Sequence, residues 1–310
     1  MMTPRLPPQT GFTLMEMIIS LVVLGLLSVV MLPLLSLPIT AYMDAQRRVE
    51  LQAQLSLAQS KIKDDLQYAL PGSVRRSALG NARFLEYLEV RAVGRYRNGA
   101  GGAAFCPPSA GACPAVDANS LATGAACQES CFTTLGPLSP ATAAVVPNSD
   151  YVAIIAPGAL PYSLGVSSVM SRITMAPTYF PGAPATAQWV GLRFAPVGFP
   201  VLVPPSPPKP DVSNRFYIVS QPVTYKCDRT TGQLTKFWGY PVQLNQPTAF
   251  AAGTQSVLLA NTVSQCEMTV RNTLGSLQQV ASIQLRLARN AAGQPADTVD
   301  GFVEVGIREP

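Results

Sequence analysis

The chain has 310 residues, enough for one sizeable domain or two small ones. Charged residues make up only 13%, the net charge is +5 and the basic residues are scattered, which argues against a nucleic-acid partner. There is no histidine, which removes the commonest general base and metal ligand and disfavours Ser-His and Cys-His nucleophilic sites.

Residues 1–11 are short and Pro-rich, carry one charge, Arg5, and contain no apolar core. An ordinary secretory signal has its apolar core before the cleavage site, so this leader is of another kind. The apolar run begins after Gly11-Phe12-Thr13-Leu14-Met15-Glu16, and no charged residue lies between Glu16 and Asp44. Residues 17–43 are long enough to cross a bilayer, which takes roughly 20 apolar residues. A carboxylate at the edge of such a run is costly to bury and is tolerable only if paired.

The order of parts, carried by Gly11, Phe12, Thr13, Leu14 and Glu16 and then Gly25 and Pro33, resembles the class III prepilin leader of type IV pilins and type II secretion pseudopilins. The resemblance implies cleavage after Gly11 by a prepilin peptidase that methylates the new N-terminal residue, Phe12. It implies that Glu16 pairs with the Phe12 amine, its own or a neighbour's, and so fixes axial register in a fibre. A plain N-terminal anchor with Glu16 in the headgroup layer is the simpler alternative.

The helical pattern continues beyond the apolar run. Tyr42, Ala45, Val49, Ala53, Ile62, Leu66 and Ala69 recur at helical steps, which predicts a face packed on a domain. Pro71-Gly72 ends the pattern. From Phe12 to Leu70 the helix would run roughly 90 Å, with a kink expected at Gly25 and Pro33, since proline lacks an amide hydrogen. The expected divisions are a leader at 1–11, a transmembrane and assembly helix at 12–40, its amphipathic half at 41–72, and a β-rich domain at 73–310 with an insertion at 98–149.

Strand signals follow. Phe84–Val90 and Tyr151–Ile155 are strand-like. Arg215–Val219 and Val223–Cys227 read as two strands joined by a Pro-bearing connection, and Asp228–Gly232 reads as a hairpin turn into Leu234–Tyr240. Cys266–Val270, Val280–Leu287 and Phe302–Ile307 complete a meander. Two regions read as irregular: residues 98–149, and Ala195–Pro210 with its seven prolines. Glu86 and Glu89 could be imagined as a catalytic pair, but strand alternation places them on opposite faces, and no enzyme activity and no cofactor are expected.

An even count of six cysteines on a chain with an export-type start reads as disulfides. Cys106, Cys113, Cys127 and Cys131 form a local cluster with three possible connectivities, and Cys227 and Cys266 are expected to pair. No CxxC pair occurs, so no metal site is expected.

Lys63–Arg75 and Leu88–Tyr96 resemble the helix exit and following strand of J-class pseudopilins and related minor pilins. Phe216–Val219, Val223–Cys227, Trp238-Gly239-Tyr240 and Leu258–Val263 with Cys266 are similar to the C-terminal half of the MshO-type minor pilins of mannose-sensitive haemagglutinin (MSHA) pili. The resemblance implies an α+β pilin-like fold, a long N-terminal helix on a mainly antiparallel sheet. It implies a minor pilin that joins other minor pilins and primes or caps the fibre tip. The implied partners are the major pilin, the prepilin peptidase and methyltransferase, an inner-membrane assembly platform, and membrane lipid before assembly. The implied location is the inner membrane, with the domain in the periplasm, and then the fibre. The alternatives are a J-class type II secretion pseudopilin, or a pilus-borne adhesin with contacts from Trp189 and Trp238.

Overall fold

The computed structural model describes residues 13–97, 105–107, 119–121, 127–141, 143–155, 161–165, 168–180, 187–199, 214–272, 278–289 and 296–307; in the first helix it describes side chains except at 30 and 32–41. The chain divides into two compact units, Met1–Gln52 and Ala53–Pro310. The helix α1 (Leu14–Gln67) is 54 residues long and is unbroken in its backbone across Gly25 and Pro33.

In the first unit, every described side chain from Thr13 to Val29 is exposed, as is Met31. Tyr42 and Val49, expected to face a core, are also exposed.

In the second unit, the last turns of α1 bury Leu55, Ala58, Ile62 and Leu66, and Ala69 is buried just beyond the helix. Ala53 is exposed, contrary to expectation. It lies nine residues from Ile62, about two and a half turns, and so falls on the opposite face. The helix ends before Pro71 in a tightened turn, with Tyr68 N donating to the Asp65 carbonyl at 3.2 Å and Ala69 N to the Leu66 carbonyl at 3.1 Å. Gly72 takes φ 79°, a value open to glycine, and turns the chain toward the first strand.

Thirteen strands lie among the described residues. β1 (Arg75–Leu79) pairs antiparallel with β2 (Ala82–Arg95). Then come β3 (Glu129–Thr133), β4 (Tyr151–Ala153), β5 (Met170–Arg172), β6 (Thr178–Phe180), β7 (Trp189–Val197) and β8 (Arg215–Asp228). The last five are β9 (Gln233–Trp238), β10 (Gln255–Ala260), β11 (Val263–Asn272), β12 (Gln279–Arg289) and β13 (Asp297–Ile307). They form three sheets rather than the one expected: a seven-stranded sheet of β1, β2, β8, β4, β5, β9 and β10, and three-stranded sheets β3-β7-β6 and β11-β12-β13.

β8 organises the large sheet. One edge pairs with β2 from Asp228 to Arg215. The other edge pairs with β4 at 217–219 and with β9 at 223–228. The two strands expected at 215–219 and 223–227 are thus one strand. Pro222 is tolerated within it because neither β4 nor β9 faces that position. At its end Asp228 Oδ1 accepts from Thr230 N at 3.0 Å, and Gly232 has φ 69°, which closes the β8–β9 hairpin that the sequence signals.

The described part of 98–149 is built into the fold, not set apart as an irregular excursion. β3 pairs with β7 from Glu129 to Thr133, and its Phe132 is fully buried. The Phe132 ring meets Tyr96, Phe194 and Phe216 at centroid distances of 6.1, 5.6 and 5.0 Å. The start of the expected Pro-rich loop, Ala195–Val197, is the end of β7; residues 200–210 of that stretch lie outside the described residues.

Several links tie the β11-β12-β13 sheet to the rest of this unit. The disulfide Cys227–Cys266 joins β8 to β11, with Cα atoms 6.5 Å apart. Gln279 accepts from Val74 N at 2.9 Å through Oε1 and donates to the Val74 carbonyl at 3.0 Å through Nε2, a side chain standing in for a strand neighbour. On β13, Gly301 lies under the helix, where an added Cβ would come within 2.8 Å of the Leu55 methyls. Beside it Gln59 Nε2 donates to the Phe302 carbonyl at 3.2 Å.

Candidate functional site

Of the residues expected at the processing site, Gly11 and Phe12 lie outside the described residues. Glu16 is described, and it makes a contact that was not anticipated. Thr13 is the N-cap of α1 and Glu16 its third residue. Glu16 N donates to Thr13 Oγ1 at 3.3 Å, while Thr13 N and Thr13 Oγ1 both lie 3.5 Å from Glu16 Oε2. This is a reciprocal capping box, in which two groups left without partners at a helix start satisfy one another. The signal was in the sequence as Thr13-Leu14-Met15-Glu16 before an apolar run. Its carboxylate is also favoured by the helix dipole.

Gly25 stands in open space, with nothing within 4 Å of where a Cβ would sit. Leu14 is 78% exposed and even Val23, among the least exposed of this stretch, is 47% exposed. Among the described residues no helix is long and apolar enough to cross a membrane. The described side chains of the apolar run end at Met31, whereas the charge-free sequence runs on to Met43.

Cys106 is bonded to Cys131 with Cα atoms 5.6 Å apart, and Cys127 is disulfide-bonded as well; Cys113 lies outside the described residues. Asn119 Oδ1 accepts from Phe105 N at 3.1 Å and from Cys106 N at 3.0 Å, which fixes the chain entering the bridge.

Among its described residues the second unit buries four carboxylates, Asp65, Glu86, Glu129 and Asp150, that sequence reasoning did not single out as a group. Asp65, on α1, accepts from Tyr225 Oη and Lys236 Nζ, and pairs with Lys61 at 2.9 Å. Burial pushes its pKa up, but the hydrogen bonds from Lys236, Tyr225 and Lys61 outweigh this and hold it below the ordinary range. The Asp65 hydrogen bond in turn raises Lys61. Glu86, fully buried, accepts from Arg75 Nε at 2.8 Å and from Tyr240 Oη at 3.2 Å. Here burial prevails and the pKa is raised. Asp150 accepts from Val146 N at 2.7 Å and Arg91 at 3.4 Å, and burial raises it too.

Glu86 and Glu89 point to opposite sides of β2. Glu86 is in the Arg75 network, while Glu89 lines a groove of about 560 Å³ together with Lys61, Arg91, Gln221, Lys236 and Trp238. Trp189 lies in a different sheet from Trp238, stacked on Phe180 at 3.8 Å.

Residues 6–32 match the prokaryotic N-terminal methylation motif. The motif fits proteins of the type IV pilin and pseudopilin kind, which take part in pilus or secretion assembly and are processed by a prepilin peptidase. The match supports a type IV pilin-like protein, and an N-terminal helix leading into a mostly antiparallel β domain with disulfides is compatible with it. No curated protein and no solved structure matches the chain.

Proposed function

We propose that this chain is a minor pilin of a type IV, MSHA-like pilus, which joins other minor pilins and the major pilin at the fibre tip and primes or caps assembly. The observation that carries the pilin-type reading is the methylation motif at 6–32, placed at the start of a helix of 54 residues that leads into a large β domain. The minor-pilin reading rests on the MshO-type resemblance and on bulk: a domain with three sheets is larger than a repeating shaft subunit needs.

In this reading the helix serves two environments in turn. Its exposed apolar surface lies in the inner membrane before assembly, as a single-pass anchor for a periplasmic domain, and against neighbouring helices afterwards. Cleavage after Gly11 frees the amine of Phe12, the residue immediately before the capping box. The amine then competes with Thr13 for Glu16, and the carboxylate passes from capping its own helix to setting register in the fibre. The chain carries out no chemistry of its own.

The test is intact mass and N-terminal sequencing of the membrane-extracted protein, with and without a prepilin peptidase. A chain starting at N-methylated Phe12, only when the peptidase is present, is the expected result. An uncut chain in both cases would leave a plain anchor. The second reading, a J-class type II secretion pseudopilin, is favoured by the helix exit at Lys63–Arg75. Deletion separates the two: loss of pili supports the first, loss of protein secretion the second.

A further inference from the structure

Where β8 passes from its partner β4 to its partner β9, residues 220–222 have no strand neighbour on that edge among the described residues. The sheet forks there, and Ser220 and Gln221 come to line the groove of about 560 Å³ described above. A volume of this size is within the range of small-molecule sites. Trp238 of β9 forms part of its wall, with Lys236 Nζ held 5.9 Å from the ring centroid. Lys61 of α1, Glu89 and Arg91 of β2, Ser149, and Gln255 of β10 supply the remaining polar lining.

The charges around this groove are arranged in advance. Lys61 and Lys236 are both held by Asp65, Arg91 is held by Asp150 at 3.4 Å, and Glu89 accepts from Ser220 Oγ at 3.2 Å. The lining cations Lys61, Lys236 and Arg91 are offset by Glu89 in the lining and by Asp65 and Asp150 behind it, so the six groups together leave no net charge with which to select an anion or a cation. What remains is a set of fixed donors and acceptors beside a half-exposed indole. That combination matches a ligand with a neutral, hydroxyl-rich edge and an apolar C–H face.

We propose that this groove binds a neutral saccharide of one or two rings, with one ring laid against Trp238 and its hydroxyls bonded by Gln221, Glu89 and Lys236. The preformed ion pairs remove the cost of ordering those side chains on binding. This site lies wholly in the second unit and uses none of the residues of the methylation motif at 6–32, so its failure would leave the pilin-type reading untouched.

The test uses the full chain in a detergent without a sugar headgroup. It is titrated with glucose, galactose, mannose, N-acetylglucosamine, maltose, cellobiose and lactose, and read by saturation-transfer NMR on the sugar protons and by tryptophan fluorescence. The expected result is saturable binding of at least one sugar, weakened about tenfold or more in Trp238→Ala and in Gln221→Ala, and unchanged in Trp189→Ala. No binding by any of the seven sugars overturns the proposal. So does binding that survives both groove substitutions. If circular dichroism shows Trp238→Ala to be misfolded, Trp238→Phe with Gln221→Ala decides the matter by the same criteria.

Discussion

Asp65 near the end of α1 and Lys236 on β9 are ion-paired in a setting where little of either side chain reaches water, at 9% and 13% exposure. The pair is 171 residues apart in sequence and joins the helix of the second unit to the far side of β8. Its value lies in what happens when one partner is removed, because the other charge is then left uncompensated.

Replacing Asp65 by Asn is therefore expected to destabilise the protein by about 3 kcal/mol, since Lys236 loses its carboxylate and Tyr225 a strong acceptor. Urea unfolding followed by circular dichroism checks this. The double variant Asp65→Asn with Lys236→Met should recover part of the loss, because no buried charge remains.

The pH dependence follows from the direction of the Asp65 shift. Its folded pKa lies below the ordinary value of 3.8, so the folded state binds the proton less readily than the unfolded one. Its contribution is fully present above that value and is lost as pH falls through the folded pKa. Glu86 and Asp150 are raised, so their terms have the opposite sign, favouring the folded state at low pH and diminishing as pH rises. The stability gap between wild type and Asp65→Asn should thus narrow in acid, as urea midpoints at about pH 7 and about pH 3 would record.

Gly94 sits against the Phe216 ring, where an added Cβ would lie 2.5 Å from a ring carbon. Phe216 is fully buried and packed on Phe132, so the ring has nowhere to go. Gly94→Ala is expected to cost about 2 kcal/mol through overpacking, seen as a lower melting temperature.

The Cys227–Cys266 bridge closes a loop of 39 residues between β8 and β11. Cys227→Ser with Cys266→Ser should remove about 4 kcal/mol of stability in the chain-entropy account. Comparing melts of the double variant and of wild type under non-reducing conditions measures it.

Glu16→Ala is expected to leave membrane insertion unchanged and to lower incorporation into fibres, measured as the amount of the chain in sheared pili. Normal incorporation would remove Glu16 from the assembly argument.

The elements that could be read from the sequence were those with a strong local signature. The hairpin at Asp228–Gly232 is an example, because Asp228 and Gly232 each act within their own turn. The helix stop before Pro71 is another. What could not be read depended on distant partners. Nothing near Pro222 indicates that β4 ends and β9 begins on either side of it, so the proline looked like a break. β3 and β7 were missed because their pairing crosses residues rich in Gly, Ala and Pro, and Phe132 is apolar core only once Tyr96 and Phe216 arrive around it. The Thr13–Glu16 box is local, and its signal is the three-residue spacing of a hydroxyl and a carboxylate before an apolar run. Asp65 could not be recognised as a buried lock from Lys63-Asp64-Asp65, where its neighbour Asp64 is exposed.

The fork of β8 also sets an order of opening. Its β2 edge is paired from Arg215 to Asp228 except for an irregularity at Ser220 and Gln221, whereas its other edge is shared between β4 and the β9–β10 pair, which do not touch the same residues. Either of those can peel away and leave the other in place. Amide protons bonded between β2 and β8 should consequently exchange last, and those of β4 and of β9 should exchange with separate and smaller opening energies. The strand acts as the seam along which this unit comes apart in two independent steps, with its own pairing to β2 surviving both.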